Sequence, residues 1–389
     1  MSSRAIPVLA AASFTQFAAG VGFWSFGLLA PELAGVTGYN ARDFGLSISF
    51  TFLGAFLSSP FTGMFVRRFG GPGAVARFCA AMAGAMSLVL LGSWTGAMLA
   101  AFLFGLGYGP QGPVGMTMVT QASETHRRGL FLALRHSAVP LAATLAGRIL
   151  PPLMLIAGWQ AGVMSVAGLL VCAAGVALVF ERFFRIESAP AQAGSFFGHF
   201  RDLFRIPAEL RFLWGTGFAF AFTQTAVTTF SYIYLIEVAG LSTIAAGVFA
   251  SNLHATALVG RPLLGITTDR LGNPGIVLAV IAMVSVVALI ALLNVDSTTP
   301  GWLLIPLAIA CGISGQCWNS VFVTAMSFKV ASADLAEMNG RAFAYLSVGW
   351  MASPPVIWAL IELSGGYVVP LVLMAVLNAI IAALLMLAR

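Results

Sequence analysis

Long runs of apolar residues, broken by short polar stretches, dominate this chain. Each run holds about 20 residues, the length an α-helix needs to cross the hydrocarbon of a bilayer. Twelve runs can be drawn, at 6–31, 43–65, 74–93, 97–121, 129–153, 161–181, 212–236, 244–267, 275–294, 301–326, 340–362 and 367–388. In lipid the backbone must bond within itself, so the runs are read as helices rather than open sheets. The connections are short except one. Residues 182–211 join the sixth and seventh runs and hold Arg182, Arg185, Arg201, Arg205 and Arg211. Within them Phe196, Phe197, Phe200, Leu203 and Phe204 recur at helical spacing, with His199, Arg201, Asp202 and Arg205 between. That pattern predicts an amphipathic helix lying on the membrane surface. The expected architecture is all-α and membrane-embedded: a six-helix bundle over 1–181, a linker over 182–211 and a second six-helix bundle over 212–389.

Composition supports the pattern. Hydrophobic residues make up 59% and charged residues 8%, too little polar surface for a soluble fold of 389 residues. The 42 glycines suit close helix approach. An isoelectric point of about 9.5 suggests nucleic acid, but the distribution of charge excludes it. With the N-terminus in the cytoplasm, that side receives Arg4, Arg67, Arg68, Arg77, Arg127, Arg128, Arg270, Lys329, Arg341, Arg389 and the basic residues of 182–211. The other side receives Arg42 alone. This positive-inside bias predicts both termini in the cytoplasm of a bacterial-type inner membrane. The first run, from Ile6 to about Pro31, exceeds a signal-peptide core. Cys79, Cys172, Cys311 and Cys317 all fall in apolar runs and read as small apolar filler. No metal-ligand spacing appears, and no metal or other cofactor is expected.

The two halves repeat. Phe14-Thr15-Gln16 in the first run matches Phe222-Thr223-Gln224 in the seventh, and Gly63 to Gly70 (GMFVRRFG) matches Gly265 to Gly272 (GITTDRLG). Parallel six-helix repeats place a substrate site near the midplane between the halves. Gly265-x-x-x-Asp269-Arg270-x-Gly272 resembles the loop motif of the major facilitator superfamily. The N-terminal copy keeps Gly63, Arg68 and Gly70 but has Arg67 where that family usually has Asp. The resemblance covers the whole chain. It implies twelve helices, alternating access and a gating role for these motif residues at the cytoplasmic side. A weaker resemblance concerns Gly260-Arg261-Pro262-Leu263-Leu264-Gly265, similar to the Arg-Pro-x-x-Gly with which monocarboxylate transporters bind a carboxylate. The Asp four residues earlier that those proteins use in proton coupling is Ala257 here. Ala138 to Thr144 lacks the Gly-rich pattern of drug/proton antiporters.

The chemistry rests on cations without acids. All 13 Asp and Glu can be assigned to loops or helix ends, whereas Arg135, Arg148, Arg261, His136 and His254 fall inside apolar runs. An ionisable residue in a bilayer is costly and normally faces a partner or a water-filled path. The missing partner is read as an anionic ligand. Arg261 offers the bidentate fork that suits a carboxylate, against a structural reading in which it bonds helix-end carbonyls. Arg148 is a further candidate or snorkels to water. Arg135 reads as pairing with lipid phosphate. His254 and Asn252 lie mid-span, and His254 can carry a proton or sit as a satisfied core histidine. Gln16, Tyr108, Gln111, Gln224, Gln316, Trp318 and Asn319 cluster at one expected depth, with Tyr345 and Trp350 as further lining candidates. Interhelical bonding is the plainer account of any one of them. The glycines and proline of Gly105 to Pro110 are expected to bend the fourth helix. No nucleophile triad or phosphate loop appears, so an enzyme is not expected.

The sequence therefore reads as a monomeric secondary or facilitative transporter of a small organic anion, with the anion and the lipid bilayer as its partners. Efflux of amphipathic compounds is the alternative within transport. A non-transporting membrane sensor or scaffold is the alternative outside it.

Overall fold

The computed structural model describes residues 5–122, 131, 134–181, 206–329 and 335–387, and its two compact units are Met1–Ala193 and Gly194–Arg389. Among the described residues there is no strand. The N-terminal unit contains α1 (Ala5–Thr37), α2 (Ser47–Ser58), α3 (Gly71–Ser87), α4 (Trp94–Ala122), α5 (Ala138–Ala157) and α6 (Trp159–Glu181). The C-terminal unit contains α7 (Arg211–Glu237), α8 (Thr243–Leu271), α9 (Pro274–Leu292), α10 (Gly301–Gly312, continued as Trp318–Lys329), α11 (Leu335–Ser364) and α12 (Val368–Leu387). Each of the twelve apolar runs thus has its helix.

Among the described residues nine helices are long and apolar enough to cross a membrane. The three outside that set are α2, α4 and α7. The second run, expected as one span over 43–65, is instead interrupted: a 3-10 turn at Ser59–Phe61 separates α2 from a short helix at Thr62–Phe69. Pro60 lies at the start of that turn and cannot donate to the helical ladder. Helices α4 and α7 are long but carry Gly, Thr and Gln in place of Leu and Val. The fifth helix ends at Ala157 rather than 153, and its expected start at 129 lies outside the described residues. The amphipathic helix expected at 195–205 lies outside the described residues.

Helix ends follow local chemistry. Ser242 caps α8 by accepting from the Ala245 backbone N–H, and Asn273 caps α9 by accepting from Gly275 and Ile276. The loop-motif glycines Gly70 and Gly272 have φ of 70° and 61°, which other residues rarely adopt, and they end the helices before them.

Packing in the N-terminal unit depends on the glycines of α4. A Cβ on Gly105 would run into the Thr51 carbonyl of α2, and one on Gly109 would lie 2.5 Å from the Ala55 carbonyl. Gly107 faces α3, where a Cβ would lie 2.9 Å from the Phe78 carbonyl. The helix runs unbroken through this stretch, so these glycines admit neighbouring backbones, the small-xxx-small device of membrane bundles. In the C-terminal unit Gly312 does the same for α10 against Leu253 and Thr256 of α8. The core of that unit gathers Trp214 and Phe220 of α7, Trp318 and Phe322 of α10, Ala342 and Leu346 of α11, and Ile381 of α12.

Candidate functional site

In the C-terminal unit Arg261, Gln316, Gln224, His254, Trp318 and Trp350 form one connected network. Its origin is a π-helical segment at Ile313–Cys317, where the regular ladder of α10 loosens. There the Gln316 backbone carbonyl accepts from Arg261 Nε at 2.9 Å, and Gln316 Oε1 accepts from Arg261 Nη2 at 3.4 Å. Gln224 Nε2 donates to the same Gln316 Oε1 at 3.2 Å. The Gln224 carbonyl oxygen accepts from two indoles, Trp318 Nε1 and Trp350 Nε1, each at 3.2 Å. Gln316 Nε2 lies 3.3 Å from His254 Nδ1.

The direction of every bond in this chain follows from groups that only donate. Indole and guanidinium N–H groups cannot accept. The two tryptophans therefore fix the Gln224 oxygen, which turns its amide nitrogen toward Gln316. Arg261 and Gln224 then fix the Gln316 oxygen, which turns its nitrogen toward His254. His254 Nδ1 must accept, so the imidazole is neutral with its proton on Nε2.

This geometry corrects one expectation. Arg261 does not stand free for a ligand: two of its three nitrogens bond to Gln316, one of them to the main chain. Trp318, expected to line a cavity, has no exposed surface and stacks on Phe220 with ring centroids 5.6 Å apart. It acts through Gln224. Asn319 has a buried Oδ1 with no hydrogen-bond partner. Asn252 is half-buried and two residues from His254, hence on another face of α8. Tyr345 packs against Trp214 and Phe218, with centroids 5.8 Å from each, apart from the Gln224–Gln316 bonds. Gln224 is held also through its neighbour in the repeat, since Asn378 Nδ2 of α12 donates to Thr223 Oγ1 at 3.0 Å.

The N-terminal unit centres on Arg135, in the helical turn before α5. Its side chain is 1% exposed, so the expected pairing with lipid phosphate is not what the structure shows. Arg135 Nη2 donates to Gln16 Oε1 of α1 at 2.8 Å. The guanidinium lies over Gly115 of α4, where a Cβ would meet Nη2, Nε and Cζ. Next to Gln16, Thr15 Oγ1 accepts from Gln111 Nε2 at 3.4 Å. Tyr108, one turn earlier on α4, is half-buried and stacks on Phe23 at 5.2 Å between centroids. Arg148 is exposed on α5 and lies roughly 20 Å along the helix from Arg135. The importance of Arg135 had one sequence signal: Gly115, a residue that leaves room for a guanidinium on a facing helix.

The gating residues are only partly visible. Arg68 and Arg270 are exposed, and the Arg68 guanidinium lies 5.3 Å from the Phe69 ring centroid. Gly265 has open space around it, so packing does not demand a glycine there. The side chains of Arg67 and Asp269, and the surroundings of Gly63, lie outside the described residues. No group of His, Cys, Asp and Glu among the described residues is arranged to hold a metal ion.

The model of the Major Facilitator Superfamily matches residues 12–354 of this chain. Solved structures with the same fold include a mutant of the peptide transporter POT in complex with alafosfalin. It is 16% identical with a TM-score of 0.74, over 97% of this chain and 93% of that one. A POT family transporter in complex with 5-aminolevulinic acid is 14% identical with a TM-score of 0.76, over 97% and 95%. The peptide transporter POT in complex with sulfate is 15% identical with a TM-score of 0.74, over 97% and 93%. A comparison with curated proteins finds none that matches.

Proposed function

The chain belongs to the major facilitator superfamily and is a multi-pass membrane transporter, and from that premise we propose that it carries a small organic anion, a monocarboxylate in the simplest case, by alternating access. The observation that carries this reading is that, among the described residues, neither the Arg135 guanidinium in one unit nor the Arg261 guanidinium in the other has an acidic partner. Among the described residues Arg135 bonds only to the Gln16 amide, and Arg261 only to the carbonyl and side chain of Gln316. Neutral dipoles do not cancel a buried charge, so a cation in such a setting favours an anionic visitor. Sulfate and 5-aminolevulinic acid, bound in the neighbouring structures, both carry anionic groups.

Peptide transport is the second reading, favoured by what the POT neighbours carry. A peptide presents an ammonium as well as a carboxylate. The acids at described positions, such as Glu32, Glu181, Glu237 and Glu362, sit at or near helix ends and leave no acid beside either arginine to receive it.

Thermal shift of the purified protein against carboxylates, dipeptides, organic cations and neutral amphipaths separates the readings, because a ligand of the folded state raises Tm by mass action. Carboxylates are expected to stabilise it and to be taken up into proteoliposomes. Stabilisation by cations or neutral amphipaths alone would favour efflux, and no hit in any class would favour a scaffold. The loop charges further support an inner-membrane location with both termini cytoplasmic. A single Cys placed at residue 195 should then be labelled from the cytoplasmic side, and labelling from the opposite side would invert the topology.

A further inference from the structure

Three side chains of the N-terminal unit hold hydrogen-bonding atoms that no described residue uses. Arg135 Nε is buried without a partner, and so is Gln111 Oε1. Gln16 gives its oxygen to Arg135, and its Nε2 makes no hydrogen bond with a described residue. Which atom of Gln111 is left over follows from the hydroxyl beside it. Thr15 has one proton, donated to the Ala12 carbonyl at 3.2 Å, so its oxygen can only accept. Gln111 must therefore turn Nε2 toward Thr15 and its carbonyl oxygen away.

The three are neighbours. Thr15 and Gln16 are consecutive on α1, and Arg135 lies over Gly115, one turn along α4 from Gln111. The leftover atoms are thus two donors and one acceptor on side chains that α1, α4 and the turn before α5 bring together. Two donors, one of them cationic, suit a carboxylate. The Gln111 oxygen requires a donor beside it. A cationic donor there would be repelled by Arg135 with no acid between them, so the donor is neutral.

We propose that Arg135, Gln16 and Gln111 form a recognition site for a carboxylate that bears a neutral hydrogen-bond donor, a hydroxyl, on the adjacent carbon. This rests on the organic-anion reading and adds what the anion must carry. Arg135 Nε and Gln16 Nε2 hold the carboxylate, and Gln111 Oε1 accepts from the hydroxyl. Gly115 leaves the room on α4 in which the guanidinium lies.

The test uses the full-length protein in proteoliposomes with two matched pairs of probes, 2-hydroxypropanoate against propanoate and 2-hydroxyhexanoate against hexanoate. The hydroxy acid is expected to be preferred about tenfold in at least one pair, the equivalent of one net hydrogen bond. Gln111→Leu should remove that preference by lowering uptake of the hydroxy acid more than uptake of the plain acid. Arg135→Gln should lose both acids, and Arg135→Lys, which keeps the charge should the first variant fail to fold, should retain part of the carboxylate uptake. The site is overturned if the wild type carries both acids of each pair equally, or if Gln111→Leu keeps the preference; the latter is the result expected were the leftover atoms merely bridged by water. Either result leaves the anion reading standing. If no carboxylate in the wider panel binds or is carried, the anion reading itself fails and takes this site with it.

Discussion

The two polar centres begin from the same three residues, Phe-Thr-Gln, on the first helix of their unit, and they end in opposite states. Around Gln224 the side-chain amides of Gln224 and Gln316 are both engaged, although Oδ1 of Asn378 and of Asn319 in the same unit is buried without a partner. Two indoles, a second glutamine, an arginine and a histidine answer one another in sequence. Around Gln16 the hydrogen-bonding demand is open, with the Arg135 and Gln111 atoms buried and unanswered. The framework beneath is shared: Thr15 and Thr223 each accept an amide N–H from another helix, Gln111 of α4 in one unit and Asn378 of α12 in the other. The repeat thus preserves the mounting of the glutamine, while the facing residues decide whether that glutamine braces the bundle or awaits a ligand. A saturated network rigidifies, and a partly satisfied one is costly unless something fills it.

The largest expected effect tests what the halves have in common. Gly105→Ala and Gly312→Ala each place a methyl group against a backbone carbonyl of a neighbouring helix, which cannot rotate away. Overpacking of this kind costs about 3 kcal/mol. Both variants are expected to leave size-exclusion chromatography as aggregate or to melt many degrees early. Gly112, with open space around it, is the control and should tolerate Ala. Equal behaviour of all three variants would show that the close helix contacts do not hold the units together.

A smaller effect separates the centres. Arg261→Leu strands the Gln316 carbonyl and loosens the π segment, a loss of about 1–3 kcal/mol. At about 2–4 °C per kcal/mol for units of this size, Tm should fall by roughly 2–12 °C. Arg135→Leu also strands an acceptor, Gln16 Oε1, but it relieves the cost of a buried charge whose Nε is unpartnered, and the two effects oppose. Its Tm should therefore change little while anion uptake is lost. Matching Tm losses in the two variants would erase the distinction between a brace and a receptor.

Much of this arrangement could be read from the chain. Length and hydropathy of the apolar runs specify twelve helices, because the bilayer imposes one period and one length. The repeat singled out Gln16 and Gln224. Arg261 was singled out through its Arg-Pro-x-x-Gly context, but its engagement with Gln316 could not be read, because a π segment is a choice of hydrogen-bond ladder that residue types at 313–317 do not specify. Arg135 was misread as lipid-facing for a related reason. Its depth is visible in sequence, but the side of the helix it occupies depends on the helices packed around it, and those are not. Gly105, Gly107 and Gly109 read as flexibility, although they admit two neighbouring helices, α2 at Gly105 and Gly109 and α3 at Gly107, a distinction that needs those helices.

The finest difference between the centres concerns one proton. In the C-terminal unit the orientation of two glutamines and the tautomer of His254 follow from donors that cannot accept. Nitrogen-15 NMR of the protein with labelled histidine should therefore show, for His254, a bare Nδ1 and a protonated Nε2. His254→Gln assigns the resonance. Gln316→Leu withdraws the donor that Nδ1 faces, so the preference between the two tautomers should weaken or reverse, with little change in fold. Gln224→Leu acts two bonds away: Gln316 keeps Arg261 to orient it, so the Nε2 tautomer should persist while both indole N–H resonances shift upfield on losing their acceptor. A protonated Nδ1 in the wild type would mean that Gln316 is turned over, its nitrogen toward Arg261 and Gln224, where three donors would meet without an acceptor. The C-terminal centre would then be as open as the N-terminal one, and the contrast between the halves would disappear.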